Sequence, residues 1–421
     1  MAPNDELAAI QAALRLQPQS SRGEVVTETE LAAQTFQAQT VAYLGDSLVP
    51  DATYSYGAYT NWAGVARSLL GHRYADSLCA GVGGQTSTQI AARVGAVVAS
   101  APTYCIVDSG VNDIGTGVAG SATVIANLTT IIDTLTAAGI KPIVLTITPS
   151  VFINTPAKLA DAGRVNDWIK ALPTTRGVDV IDWRAAVVDF ASTTGAWTAA
   201  WTGDGVHPNE AGCVRLGQCV AAALDKIIMP GPGPLLSDAG IGSGILSANP
   251  GMTGASGTLG TGVTGTAPTG YTVEPQGTTA CVSSIVSRTD LVGANWLNLA
   301  VTSGVTRVFQ QNTLVGVDWN VGDTVWFEAE ILMEAAPTNL RHVYAQLDFW
   351  NAIGSVLDSP FKLPPATVTP LIGSPMRAVL RTPPTVVPAG TARLQSKLFV
   401  EMVGTGSATV KVGRYAIRKA I

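Results

Sequence analysis

Between residues 39 and 230 short apolar runs alternate with longer amphipathic stretches. Thr40–Leu44, Tyr104–Val107, Ile143–Thr148 and Val178–Ile181 are brief and rich in β-branched residues, the pattern of strands buried on both faces. Tyr74–Cys79 reads as a further strand. Ala63–Leu70, Thr88–Val98, Val124–Ala138, Ala157–Ala171 and Asn209–Ile228 have helical character. In the last of these Val214, Val220, Leu224, Ile227 and Ile228 make one apolar stripe. Strand–helix alternation predicts a parallel sheet with helices on both faces. In such sheets function collects in the loops at the carboxyl ends of the strands.

The pattern changes near residue 231. Pro230-Gly-Pro-Gly-Pro234 is a stiff break, and a Gly/Thr/Ser-rich stretch runs to about Gly270. Beyond it the period is two. Phe327, Ala329, Ile331 and Met333 alternate with Glu328, Glu330 and Glu334, with Leu332 the exception. Val343, Ala345, Leu347 and Phe349 alternate with Tyr344, Gln346 and Asp348. With Leu394–Met402 and Val410–Ile417 this predicts an antiparallel β-sandwich. Ahead of the α/β region, residues 1–38 are polar and Ala/Gln-rich. Leu7, Ile10 and Leu14 fall there at helical spacing behind Asn4 and Asp5, so a short packed helix and a frayed tail are both open. Three zones follow: an N-terminal segment 1–38, an α/β domain 39–230, and a linker with β-sandwich 231–421.

Composition narrows the function. The chain has 421 residues, too many for one ordinary domain, and its 47% apolar content suits a large core. A net charge of −5 without any basic block gives nucleic acid or an anionic membrane no electrostatic footprint. Cys79, Cys105, Cys213, Cys219 and Cys281 are scattered and form no CxxC pair, which indicates free thiols, not a zinc site or disulfide scaffold. No apolar run approaches the ~20 residues that cross a bilayer. Met1–Ser20 lacks the basic start and apolar stretch of a secretory signal, so the chain is expected to be cytoplasmic or to leave the cell by another route.

Gly45-Asp46-Ser47-Leu48 follows the first strand and puts a serine at the active edge of the sheet. Alone this turn is commonplace. A nucleophilic serine needs an adjacent base, and the chain holds three histidines. His207, in Asp204-Gly-Val-His207-Pro-Asn before the last helix, is the candidate, with Asp204 placed to orient its imidazole. The plainer reading has His207 cap the helix, although Asn209 is the better cap. His72 beside Arg73 reads as structural, and His342 on a strand of the second domain as a surface or packed histidine. Gly81-Val-Gly-Gly84-Gln-Thr offers backbone N–H groups for a developing oxyanion; it lacks the GxGxxG spacing of a dinucleotide site. Gly110-Val-Asn112-Asp113 adds a side-chain amide, or else a simple Asx turn.

These four blocks, in this order, closely resemble those of the SGNH (GDSL-type) hydrolase superfamily, over roughly residues 39–228. The resemblance implies a three-layer α/β/α, flavodoxin-like domain with a five-stranded parallel sheet. It implies an ester hydrolase with Ser47 as nucleophile, His207 as base and Asp204 orienting it. The oxyanion hole would comprise the Ser47 and Gly84 N–H groups and the Asn112 side chain, with Gly84 preferred to Gly83 or Gly81 by the match of Val-Gly-Gly-Gln-Thr to the family's second block. Asp46 and Asp113 would brace loops. No metal or organic cofactor is implied.

Aromatic residues crowd the neighbouring loops: Tyr54, Tyr56, Tyr59 and Trp62 after Ser47, and Trp197 and Trp201 before His207. Flat rings suit sugars, and ordinary packing explains them equally well. The β domain, from Asn249-Pro-Gly-Met through Gly270-Tyr271 to its last strands, loosely resembles carbohydrate-binding jelly-roll modules, but lacks the usual Asp-Asn pair in the last strand. A structural or oligomerising role for it, in a homo-oligomer, stays open. The expected substrate is an acetylated polysaccharide or small ester outside the cell. The setting would be a phage tail or tailspike docked through residues 1–38. The alternatives are a lipid or thioester hydrolase and a non-catalytic receptor-binding adhesin on the same scaffold.

Overall fold

The computed structural model describes residues 39–50, 61–228, 244–290, 293–312, 316–359 and 376–420, all within one unit of the chain. The expected N-terminal segment, the Pro230–Pro234 break and Tyr54, Tyr56 and Tyr59 lie outside the described residues.

The first half is the expected α/β domain. Its strands are β1 (Gln39–Gly45), β2 (Tyr74–Gly81), β3 (Tyr104–Val107), β4 (Lys141–Leu145) and β5 (Asp179–Ile181), paired in parallel in the order β2-β1-β3-β4-β5. All four residues of β3 are buried, as are Val41–Leu44 and Ile143–Leu145, so their continuous apolar runs meet helices on both faces. The helices are α1 (Trp62–Leu69), α2 (Ser87–Ala91), α3 (Val94–Ser100), α4 (Val111–Thr116), α5 (Ser121–Ala137), α6 (Pro156–Arg176), α7 (Trp183–Val187) and α8 (Glu210–Ile227). Helix α6 shows why the boundaries fall where they do. Thr155 caps it, Pro156 opens its first turn and Gly177 ends it in the left-handed region.

The helix expected over Thr88–Val98 is two short ones. Arg93, between them, sends its guanidinium to the carbonyls of Ala80 and Gly45, at 2.7 and 2.8 Å, and to Gln85 Oε1 at 2.7 Å. Helices α4 and α7 have six and five residues, too few for a periodicity to show.

The second half is a β domain. Long strands β8 (Thr272–Ser287), β9 (Asn295–Asn312), β10 (Thr324–Met333), β11 (Thr338–Trp350) and β15 (Arg393–Lys419) pair antiparallel. Short strands β6 (Thr258–Leu259) and β7 (Val263–Gly265) add to β8 in parallel, β12 (Val356–Asp358) to β11, and β13 (Met376–Arg381) and β14 (Thr385–Val386) to β10. Phe327, Ala329, Ile331, Met333, Val343, Ala345, Leu347 and Phe349 all point into the core. The two expected stretches Leu394–Met402 and Val410–Ile417 are parts of the single strand β15.

The alternate positions are less exposed than a period of two suggests. Glu328 bonds Arg381 and Arg418, Glu330 bonds Arg288 and Arg377, and all four contacts satisfy carboxylates that are buried. His72, from the α/β half, donates from Nε2 to Val379 O on β13 at 2.9 Å, a structural role. Among the described residues no helix is long and apolar enough to cross a membrane.

Candidate active site

Strand β1 ends at Gly45, where only glycine fits. A Cβ would come within 2.9 Å of both Asp108 O and Val49 Cγ2. The chain then turns, and Ser47 emerges exposed at the carboxyl edge of the sheet. Trp62 fixes the turn from below by donating from Nε1 to Leu48 O at 2.7 Å.

The loop before α8 is wound around Asp204. Its Oδ1 accepts from the amides of Val206 and His207 at 2.8 and 2.7 Å, and its Oδ2 faces His207 Nδ1 at 2.7 Å. Thr202 Oγ1 donates to His207 O, and Asn209, as expected, caps α8 through Gly212 N–H. Val151, in the loop after β4, donates its N–H to Gly205 O and ties this loop to the sheet. His207 Nε2 lies 2.8 Å from Ser47 Oγ. With Nδ1–H donated to the carboxylate, Nε2 is left to accept from the serine O–H. Burial works to raise the Asp204 carboxyl, but the bonds from the His207 ring and the two amides outweigh it and hold it at about 2.

The oxyanion candidates separate by what their N–H groups already do. Gly81 N–H donates to Pro50 O at 2.8 Å, so it has no proton to offer. The Gly83–Gly84 turn lies over the serine: a Cβ on Gly83 would sit 3.9 Å from Ser47 Cβ. Gly84 has φ +75°, a left-handed conformation that glycine adopts without strain. Asn112 Nδ2 donates to Asp46 Oδ2 at 3.1 Å and to Gln85 O at 3.0 Å, placing the amide between the nucleophile turn and the glycine turn. Asp113 accepts from Ser87 N–H and Oγ–H at 2.7 and 2.6 Å, which joins α4 to α2.

The aromatic candidates fare differently. Trp62 is 2% exposed and meets Tyr43 and Trp183 edge-on at 5.7 and 5.5 Å, and Trp197 is 6% exposed with Nε1 on Pro149 O. Both rings serve as internal packing under the loops, which corrects the expectation that they contact substrate. Trp201 is half-buried, with the Arg215 guanidinium 5.5 Å above its ring. Two residues at the edge carry no motif signal. Arg93 staples β1, β2 and the glycine turn together, and Asp108 lies buried beside Asp46. Neither falls at a recognisable spacing from the serine or histidine.

A parallel three-layer α/β domain with exposed serine, histidine and aspartate in one hydrogen-bonded chain at its carboxyl edge is a serine hydrolase fold. Residues 43–214 match the model of the GDSL-like Lipase/Acylhydrolase family, and the α/β domain is similar throughout that stretch to an SGNH-type carboxylic ester hydrolase. Similar solved structures include a GDSL-like lipase from Bacteroides thetaiotaomicron VPI-5482, 19% identical over 54% of this chain and 97% of that one, with a TM-score of 0.35. TesA is 22% identical over 45% of this chain and 100% of its own, with a TM-score of 0.37. A mutant acetyl-xylooligosaccharide esterase from Geobacillus Stearmophilus is 18% identical over 44% of this chain and 94% of its own, with a TM-score of 0.38. No curated protein matches the chain.

Proposed function

We propose that this chain removes O-acetyl groups from carbohydrate, with Ser47 as nucleophile, His207 as general base and acid, and Asp204 orienting the imidazole. The observation that carries the serine-hydrolase part of this reading is the unbroken chain Ser47 Oγ–His207 Nε2 and His207 Nδ1–Asp204 Oδ2, at 2.8 and 2.7 Å. Ser47 Oγ attacks the acetyl carbonyl as its proton passes to His207 Nε2. The oxyanion is held by the Ser47 and Gly84 N–H groups and by Asn112 Nδ2–H, which exchanges Gln85 O for the new charge. His207 then protonates the departing sugar oxygen, and water, deprotonated by the same nitrogen, releases acetate from the acyl-serine.

Exposure supports a short acyl group on a bulky carrier. Ser47 stands at the surface, where a polymer can approach and a long acyl chain would lie in water. Val82 and Val151, 40% and 49% exposed, are hydrogen-bonded through their N–H groups to Gly45 and Gly205 and so flank the serine and histidine loops. They offer apolar contact to an acetyl methyl or a sugar face. A cavity of about 170 Å³ between Thr148, Asn166, Lys170 and Arg184 shares none of the three residues. We assign the β domain, residues 244–420, to holding the carbohydrate. Polymeric acetylated carbohydrate lies outside cells, so the corollary is an extracellular enzyme.

The test is acetate release from a panel of acetylated polysaccharides, alongside p-nitrophenyl esters of increasing acyl length. Acetyl esters are expected to be cleaved best; a preference for long acyl chains would overturn the reading in favour of a lipid or thioester hydrolase. Within the same assay, Asn112→Ala is expected to lower kcat about 10²–10³-fold at nearly constant KM, because one oxyanion donor is lost. An effect confined to KM would remove Asn112 from the oxyanion hole.

A further inference from the structure

Strands β1 and β3 run side by side with Leu44 opposite Val107, and Asp108 N–H donates to Leu44 O at 3.0 Å. Asp108 directly follows Val107 and lies against Gly45, and Asp46 follows Gly45, so the two strand ends bring Asp46 and Asp108 together beneath the nucleophile turn, 0% and 1% exposed. Two carboxyl groups buried together in this way cannot both ionise, because each charge opposes the other, so one of them carries a proton.

The surroundings decide which. Asp46 is well supplied with donors: Leu48 N–H reaches its Oδ1 at 3.0 Å and Asn112 Nδ2–H its Oδ2 at 3.1 Å. Asp108, by contrast, has its Oδ2 buried without any donor. An ionised oxygen in that position would be costly, whereas a hydroxyl there can itself donate. Burial pushes both carboxyls up, Asp108 further, because the Asp46 charge adds to it.

We propose that Asp108 is a positioning residue of the esterase: as a neutral acid it donates its O–H to the Asp46 carboxylate, and Asp46, so fixed, holds the Asn112 amide and the Ser47 turn in register for catalysis. The inference rests on the oxyanion role proposed for Asn112. Asp46 could not do this alone. Facing a second carboxylate it would turn away, releasing Leu48 N–H and Asn112 together. The proton is thus the part that converts a repulsive pair into a brace. The other charged or titratable groups facing the pair are Asp113 on α4, His207 on the loop before α8 and Arg93 at the start of α3, whose guanidinium is bound to Gly45 O. Asp113 is committed to Ser87, and neither His207 nor Arg93 can supply an anion's missing proton without losing its own bonds.

The experiment compares Asp108→Asn, which keeps shape and a donor, with Asp108→Leu, which keeps volume and loses the donor. p-Nitrophenyl acetate serves as substrate across pH. Asp108→Leu is expected to lower kcat about a hundredfold with KM little changed, the size expected of a misplaced catalytic group. Asp108→Asn is expected to retain kcat and to abolish the alkaline limb of the wild-type profile. The sign follows from the proton: raising pH ionises the acid in the wild type, while the amide does not titrate. Equal activity of the two variants, or an alkaline limb identical in wild type and Asp108→Asn, overturns the proposal. Infrared spectroscopy of the wild type needs no variant to fold: it should show a protonated carboxyl band near neutral pH, and its absence would also overturn it. An inactive wild type with that band present would instead count against the esterase reading.

Discussion

Ser47→Ala is expected to lower kcat for acetyl esters roughly a millionfold, since a triad acts as a unit and loses nearly everything with its nucleophile. The substitution removes one exposed hydroxyl whose hydrogen bond is to His207, so the unfolding midpoint should not move. Exposed sites away from caps and buried networks tolerate such changes within about 0.5 kcal/mol. A residual rate over water, about 10³–10⁴-fold, should persist from the oxyanion donors and substrate binding. Steady-state kinetics on p-nitrophenyl acetate, with labelling by a fluorophosphonate probe as a second readout, check this. The wild type should label at Ser47 and the variant not at all. A variant that hydrolyses acetyl esters at more than about a thousandth of the wild-type rate would move the nucleophile elsewhere, given the millionfold loss expected of it.

What made this residue visible beforehand is the coincidence of local pattern and topology. The apolar runs of β1 and β3 mark buried strands, so Ser47 and Asn112 could be placed at strand ends from sequence. The Asp204–His207 spacing is likewise local: both side-chain and backbone bonds close within three residues. Features that depend on contacts between distant segments were not legible. Trp62 looked like a loop aromatic, yet it is the first residue of α1 and lies under Leu48. Trp197 reaches Pro149, forty-eight positions away, and is buried by that contact. Arg93 breaks a predicted helix because its partners are carbonyls on two strands, and a backbone acceptor leaves no trace in side-chain identity.

The β domain teaches the same lesson with charge. The alternation of Glu328 and Glu330 against core residues marks the strand and its two faces, while leaving open whether the glutamate face is exposed. Their arginine partners come from β13, β15 and the segment after β8, so the burial of that face is a tertiary property. Periodicity reports which face a residue is on; only the partners report whether that face is wet.

Asp204→Asn is expected to lower kcat about 10⁴-fold, a loss that follows from the tautomer and not from lost charge alone. Asp204 Oδ1 holds two backbone N–H groups, at 2.8 and 2.7 Å. In the asparagine variant that pair of donors selects the carbonyl oxygen, which turns the NH₂ group toward His207 Nδ1. Two donors cannot share that 2.7 Å contact, so the ring must give up its Nδ1 proton and carry it on Nε2. Nε2–H then points at Ser47 Oγ, and the base has become a donor. Because Asp204 in the wild type is held at about 2, its own protonation lies below any working pH and cannot mimic the variant. Kinetics on acetyl esters give the magnitude, and nitrogen NMR of the His207 ring gives the tautomer directly. A variant that keeps more than about a tenth of the wild-type kcat, against the 10⁴-fold loss expected for the wrong tautomer, would show that Asp204 does not orient the base.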